Sequence, residues 1–231
     1  MWNPVCKIVI ALGFCLTIGS SWGCMGTPVY RMWYRSQWLE DEQIRPSLHA
    51  RLEELETLRA QAQSLSEAEQ TQIAVNLARA LADDPAPQYR AHAVRTLGEL
   101  PVPAASEALR AAVADREPRV RVAACAAWGQ RGTDEAVQIL ADVLRQDADL
   151  DVRIAAVRGL ENYRTPDVLP ALGVALDDSD PALQHRAMRS LEVVTGKDFG
   201  NSVPAWQQYV RTGQVQDTEV PSLAEQLREL F

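Results

Sequence analysis

Aromatic side chains make up only 6% of this 231-residue sequence, and long β-branched runs are few. Both scarcities argue against a core built from sheets, which β-branched and aromatic residues chiefly fill. Reactive constellations are as scarce. The three histidines, His49, His92 and His185, show no metal-ligand spacing with one another or with Cys125, so neither a metal nor a cofactor is expected. No Gly-x-Ser-x-Gly elbow and no His-Glu-x-x-His occurs, and Gly196-Lys197 lacks both the upstream glycine and the following Ser or Thr of a phosphate loop. The acidic groups Glu40-Asp41-Glu42 and Asp177-Asp178 fall where turns and helix starts already favour carboxylates. An enzyme is not expected. Positive charge is in deficit too: a net charge of −8 removes any general attraction to a phosphate backbone, and nucleic acid is not an expected partner.

What the sequence has in quantity is alanine, leucine and arginine, residues that lose little side-chain freedom on a helix. They are arranged in a repeat. In Asp115-Arg116-Glu117-Pro118-Arg119-Val120-Arg121-Val122-Ala123-Ala124-Cys125-Ala126-Ala127-Trp128-Gly129, a polar turn and a proline open a helix whose apolar residues fall three and four apart. The same frame recurs from Asp84, Asp147 and Asp178, shifted by 31 or 32 residues each time. The trailing helices align Tyr89, Val120, Val152 and Leu183, then Ala93, Ala124, Ala156 and Ala187, then Leu97, Trp128, Leu160 and Leu191; the leading helices align Leu81, Val113, Leu144 and Leu176. Four helix pairs follow, each burying its surface mainly against its neighbours, with the alanine column permitting close approach. Ser66-Glu67-Ala68-Glu69 predicts a capping box at the first leading helix, and Thr133 and Thr165 predict the starts of the third and fourth.

These columns resemble the HEAT repeat, in its short bacterial form also called the PBS-lyase-like repeat. The residues that carry the likeness are Asp115, Val120-Arg121, Ala124-Cys125 and Ala127-Trp128-Gly129, with Asp84, Tyr89-Arg90, Ala93-Val94 and Leu97-Gly98 close behind. Val152-Arg153 and Ala156-Val157 match without the glycine, and in the fourth copy Gln184 and Glu192 replace arginine and glycine. The resemblance implies a structural ladder in which Arg90, Arg121 and Arg153 pair with Asp84, Asp115 and Asp147 or Asp149 of adjacent repeats. It implies an all-α fold, a short α-solenoid of about four HEAT-like pairs over residues 66–195. Residues 47–65 read as an N-terminal capping or stalk helix, with Leu48, Leu52, Leu55 and Leu58 on one side and Arg51, Glu53, Glu54 and Arg59 largely on the other. Residues 196–231 read as an aromatic cap built on Phe199, Trp206 and Tyr209, followed by a short amphipathic helix from Pro221 with Leu223, Leu227, Leu230 and Phe231, either packed on the cap or free to engage something.

Residues 1–24 read as an export signal: Lys7 precedes an apolar run, Ile8 to Ile18, too short to span a bilayer. Ser21-Trp22-Gly23-Cys24 then resembles the lipobox of bacterial lipoproteins, which implies lipidation of Cys24, against ordinary signal cleavage or an uncleaved anchor. Met25 is not the aspartate that retains some lipoproteins in the inner membrane, and so favours the outer one. Residues 25–46 form a tether in which Tyr30, Trp33, Tyr34 and Trp38 alternate with Arg31 and Arg35, suited either to a membrane headgroup region or to docking on the first helices.

At 100° per residue, Arg95, Arg119, Val122, Ile154, Arg158, His185, Arg186 and Arg189 project away from the buried columns, onto the concave wall. A mixed cationic and apolar strip in an acidic protein suits a protein or peptide partner, an acidic one above all. The expected function is therefore a non-enzymatic interaction scaffold, exported and held at the periplasmic side of a bacterial membrane as a lipoprotein. The alternative implied by the same resemblance is a PBS-lyase-like enzyme or chaperone acting on a pigment or small molecule, which requires a deep pocket of convergent polar groups. DNA binding, as in HEAT-like glycosylases, conflicts with the export signal and the negative charge.

Overall fold

The computed structural model describes residues 46–215. The export signal, Cys24, nearly all of the aromatic tether and the helix expected from Pro221 lie outside the described residues. Ten α-helices are found among the described ones: α1 (Leu48–Gln61), α2 (Glu67–Asp83), α3 (Pro87–Gly98), α4 (Pro103–Ala112), α5 (Pro118–Gly129), α6 (Asp134–Gln146), α7 (Leu150–Leu160), α8 (Val168–Leu176), α9 (Pro181–Thr195) and α10 (Val203–Thr212), with a 3-10 turn at Ala62–Ser64. The chain folds as a short all-α solenoid.

Local chemistry sets the helix starts. Ser66 Oγ accepts from the Glu69 N–H while the Glu69 carboxylate accepts from the Ser66 N–H at 2.9 Å, the capping box read in the sequence. Thr133 caps α6, and prolines open α3, α5 and α9 where a missing N–H costs nothing. The expected start at Thr165 is corrected. There α8 begins at Val168, the Thr165 carbonyl accepts from the Val168 N–H at 3.1 Å, and the Thr165 hydroxyl is buried without a partner. Pro166 and Asp167 belong to the turn before the helix.

The helices stand in two rows. α3, α5, α7 and α9 form the trailing row, each packed on the next, and α2, α4, α6 and α8 the leading row. Ala93, Ala124, Ala156 and Ala187 are all 0% exposed, and Leu97, Trp128, Leu160 and Leu191 are buried beside them. Contact along the trailing row is continuous, whereas α4 and α6 in the leading row scarcely touch and a cleft of ≈ 330 Å³ bordered by Val113, Ile139 and Val143 lies between them. The opening is local to that interface, since α2 packs on α4 and α6 on α8.

At the N-terminal end, of the two expectations for α1, capping helix or stalk, the packing fits the first: α1 packs against α3 and so occupies a trailing-row place, with only Leu55 of its four leucines buried and Leu48 exposed. Helix α10 packs against α8, in the leading row, so closely that a Cβ on Gly173 would lie 2.9 Å from Val210 Cγ1. Phe199, Trp206 and Tyr209 form one cluster, with Phe199 and Trp206 edge to face at 4.8 Å and the Trp206 indole N–H donating to the Gly200 carbonyl at 3.2 Å.

Candidate functional site on the trailing wall

Two sets of arginines share the trailing helices, and geometry separates them. The first turns inward between layers. The Arg90 guanidinium forks onto Asp115, Nε to Oδ2 at 2.9 Å and Nη2 to Oδ1 at 2.8 Å, and Arg121 forks onto Asp147 at 2.7 and 2.8 Å. Arg153 reaches Asp178 at 3.6 Å. In the same three residues Nη1 donates to the carbonyl six residues back, of Asp84, Asp115 and Asp147, at 2.9, 2.9 and 3.1 Å. Each aspartate also accepts from a backbone N–H two residues on, those of Ala86, Glu117, Asp149 and Asp180, which fixes its own turn. One rung thus ties the turn of its own layer to the turn of the next.

The ladder extends past the residues expected of it. Asp84 pairs with Arg51 of α1, whose guanidinium also lies 3.8 Å from the centre of the Tyr89 ring, so Arg51 belongs to the packed side of α1. Asp178, expected only as a turn residue, closes the other end, and Gln184 in place of an arginine keeps the backbone half of the contact, donating to the Asp178 carbonyl at 2.7 Å. Asp149 is not a rung: it caps α7, accepting from the N–H groups of Asp151 and Val152. For Asp115 and Asp147, burial acts to raise the carboxyl pKa, and the guanidinium and N–H bonds outweigh it, holding both below the ordinary value. Cys125, buried in α5, has its thiol pushed up to about 12 by burial, which marks it as a packing residue.

The second set faces out. Arg119, Val122, Ile154 and Arg158 line a single groove of ≈ 420 Å³ between α5 and α7, together with Pro118, Asp151 and Ala155. Arg119 and Arg158 are exposed, Val122 and Ile154 half-buried. None of the ion pairs among the described residues involves Arg95, Arg119 or Arg158, so their charges face solvent, with Asp151 the carboxylate that shares the groove. His185 is exposed at the α9 end of the wall.

Two of the expected strip residues stand in ion pairs. Arg186 is drawn into an ion pair with Glu161 of the preceding layer, which also accepts from the Ser190 hydroxyl at 3.0 Å, and Arg189 pairs with Glu192 one turn on at 2.5 Å. The free cationic surface therefore narrows to Arg95, Arg119 and Arg158. Another contact of this kind had no signal in the repeat. Arg131, after α5, donates to the Leu100 carbonyl at 2.6 Å and Ser106 Oγ at 2.9 Å, and burial lowers its pKa; the nearby Tyr163 hydroxyl donates to the Trp128 carbonyl and accepts from the Gly132 N–H.

The family described as HEAT repeats matches this chain over residues 74–155 and 140–205, together more than half of its length. No curated protein matches it. Among solved structures, that of human deoxyhypusine hydroxylase in complex with glycerol is similar at 23% identity and a TM-score of 0.48, over 54% of this chain and 44% of that one. The chain thus spans less than half the length of that enzyme.

Proposed function

Because this chain belongs to the HEAT-repeat family, whose arrays commonly mediate protein–protein interaction, we propose that it is a non-enzymatic scaffold binding an acidic protein segment along its trailing wall. One observation carries the reading: Arg119 and Arg158, free of carboxylate partners, flank the half-buried Val122 and Ile154 in one groove. Apolar floor and cationic rims match a segment that presents side chains of both kinds, and a concave wall sums modest contacts along its length. The apolar run before Cys24 supports export, and Cys24 in its lipobox-like setting supports attachment to the periplasmic side of a bacterial membrane, the outer one favoured by Met25. More than one acyl chain would make that attachment firm.

The test is capture of envelope proteins on the immobilised full chain, read by mass spectrometry, with Arg119→Glu combined with Arg158→Glu as the comparison. The retained set is expected to disappear, while the melting temperature stays close to that of the parent, since exposed substitutions cost no more than about 0.5 kcal/mol. An unchanged set would show that the groove is not the binding surface. In the same preparation, the mass of the N-terminal peptide reports whether Cys24 carries lipid.

A further inference from the structure

No residue of α8 carries a polar side chain: Val168-Leu169-Pro170-Ala171-Leu172-Gly173-Val174-Ala175-Leu176 is apolar throughout. A helix apolar on every side belongs in an interior. Yet α8 stands in the leading row, packed on α9 and between α6 and α10, and its remaining side is open to solvent. Pro170 and Val174 are exposed there, and Val174, at 36%, is one of three exposed large hydrophobic residues among the described ones. The residues that bound the helix, Asp167 and Asp177, hold helical backbone angles and are exposed too. At 100° per residue all four fall within about 80° of one another, a stripe that reads carboxylate, proline, valine, carboxylate. Asp167 belongs to none of the ion pairs among the described residues. Asp177 accepts from the Gln207 amide at 2.6 Å and lies 3.8 Å from the exposed Arg211 guanidinium. Beside the stripe, Val137 and Ala141 of α6 extend the apolar surface across a groove of ≈ 550 Å³, in which Asp142 already holds Arg145 at 2.5 Å.

On the reading of the α5–α7 groove as the seat of an acidic segment, we propose that the segment is α8 of a second copy of this chain. The groove presents the complement of the stripe, with Val122 and Ile154 between Arg119 and Arg158. Asp167 and Asp177 are ten residues apart, about 15 Å along a helix at 1.5 Å per residue. Arg119 is the second residue of α5 and Arg158 the ninth of α7, so they are offset by about 10 Å along the groove and by one helix spacing of about 9 Å across it. That diagonal is about 14 Å. Pro170 and Val174 then lie over Val122 and Ile154. Asp151 stands beside Arg119 at the facing corner of the groove, so the carboxylates are accepted on this diagonal and repelled on the other.

The stripe belongs to the leading row and the groove to the trailing row, so one copy cannot turn both surfaces to the same neighbour. The contact is therefore heterologous, and copies add head to tail until they close or run on.

Sedimentation velocity of the full chain in non-ionic detergent reads this association. Over about 1–100 μM the parent should form a series that lengthens with concentration, and shortens as salt rises from about 0.05 to about 0.5 M. Val174→Arg sets a cation against Arg119 and Arg158 and should raise the dissociation constant about tenfold or more. Arg119→Glu with Arg158→Glu should do the same from the other surface. Mixed in equal amounts, the two variants should associate again, because the first keeps its groove and the second its α8. Val174 is exposed and arginine is the better helix former, so the Val174→Arg melt should match the parent's. A second variant, Asp167→Asn with Asp177→Asn, retains residues that serve at helix ends and should flatten the salt dependence. A parent that stays monomeric, a Val174→Arg chain as associated as the parent, an undiminished salt dependence, or a mixture no more associated than its parts would overturn the assignment. The capture experiment decides separately: envelope proteins retained by Val174→Arg and lost by Arg119→Glu with Arg158→Glu leave the acidic-segment reading standing, whatever the chain does with its own copies.

Discussion

Replacing Gly129 by alanine adds one methyl group at the tightest point of the trailing row. The new Cβ would lie 2.8 Å from Gly159 Cα and 3.4 Å from both the Gly159 carbonyl oxygen and Asn162 Nδ2. Carbon atoms rest at about 3.5–4.0 Å, so α5 and α7 must part by most of an ångström, and the obstructing atom is backbone that no rotamer change can move. Alanine returns up to about 1 kcal/mol of helix propensity, less at the last residue of α5, where the helical restraint is weakest. Overpacking costs about 1–3 kcal/mol, and separating the layers also strains the Asn162 amide bond to the Gly129 carbonyl, now 3.1 Å. The clash wins, by about 1–2 kcal/mol. At about 2–4 °C per kcal/mol for a chain of this size, the thermal midpoint falls by roughly 2–8 °C. Circular dichroism melts of Gly129→Ala against the parent measure this, with Gly98→Ala as the milder control because its new neighbour is the Ala127 methyl at 3.1 Å. A Gly129→Ala midpoint equal to or above the parent's would refute the claim that backbone contact between α5 and α7 sets the row spacing.

Two further outcomes are expected. Asp115 and Asp147 have folded pKa values held below their unfolded values, so their contribution to stability is complete above about pH 4, the unfolded value, and is lost as pH falls through the lower folded one. Urea midpoints of the parent should therefore drop between about pH 5 and pH 3 more steeply than those of Asp147→Asn, which starts about 1–3 kcal/mol lower at neutral pH because Arg121 loses its fork; parallel profiles would remove the ladder from the acid response. Trp206→Ala empties a fully buried site in the aromatic cluster and should cost about 3–5 kcal/mol, with hydrogen exchange rising first in α8 and α10; uniform loss of protection along the array would argue against a localised cap.

The parts of this fold that are legible in the sequence are those fixed within one helix or one turn. Three-and-four periodicity placed the alanine columns in the interior, and the capping box at Ser66 and the cap at Thr133 need only residues three positions away. What escaped depends on the register of the next layer. Arg51 looks like a solvent-facing residue of an amphipathic helix until α1 is known to continue the trailing row, which brings Asp84 opposite it. Gly159, two residues before the place of the expected glycine column at Glu161, proves to be the surface on which Gly129 rests. Arg186 has the projection of a wall residue, but Glu161 from the preceding layer turns it into a structural one. On the wall, the periodicity supplied the direction of each side chain and could not supply the charge standing across from it.

That distinction gives the arginines their two roles. Arg153 and Arg158 lie on one helix five residues apart, which on an α-helix is a rotation of about 140°. The first is carried between layers, where a carboxylate and a carbonyl from successive turns receive it; the second is carried onto the outward face of the trailing row, where the groove offers it Val122 and Ile154 and no carboxylate within ion-pair reach. Removing an inward arginine takes a tie from two turns at once and leaves a half-buried aspartate behind, so its effect must appear in stability. Reversing an outward one changes the field of the wall and breaks no internal contact. A binding defect without a stability defect is therefore diagnostic of the outward set, and the same substitution five residues earlier is its internal control.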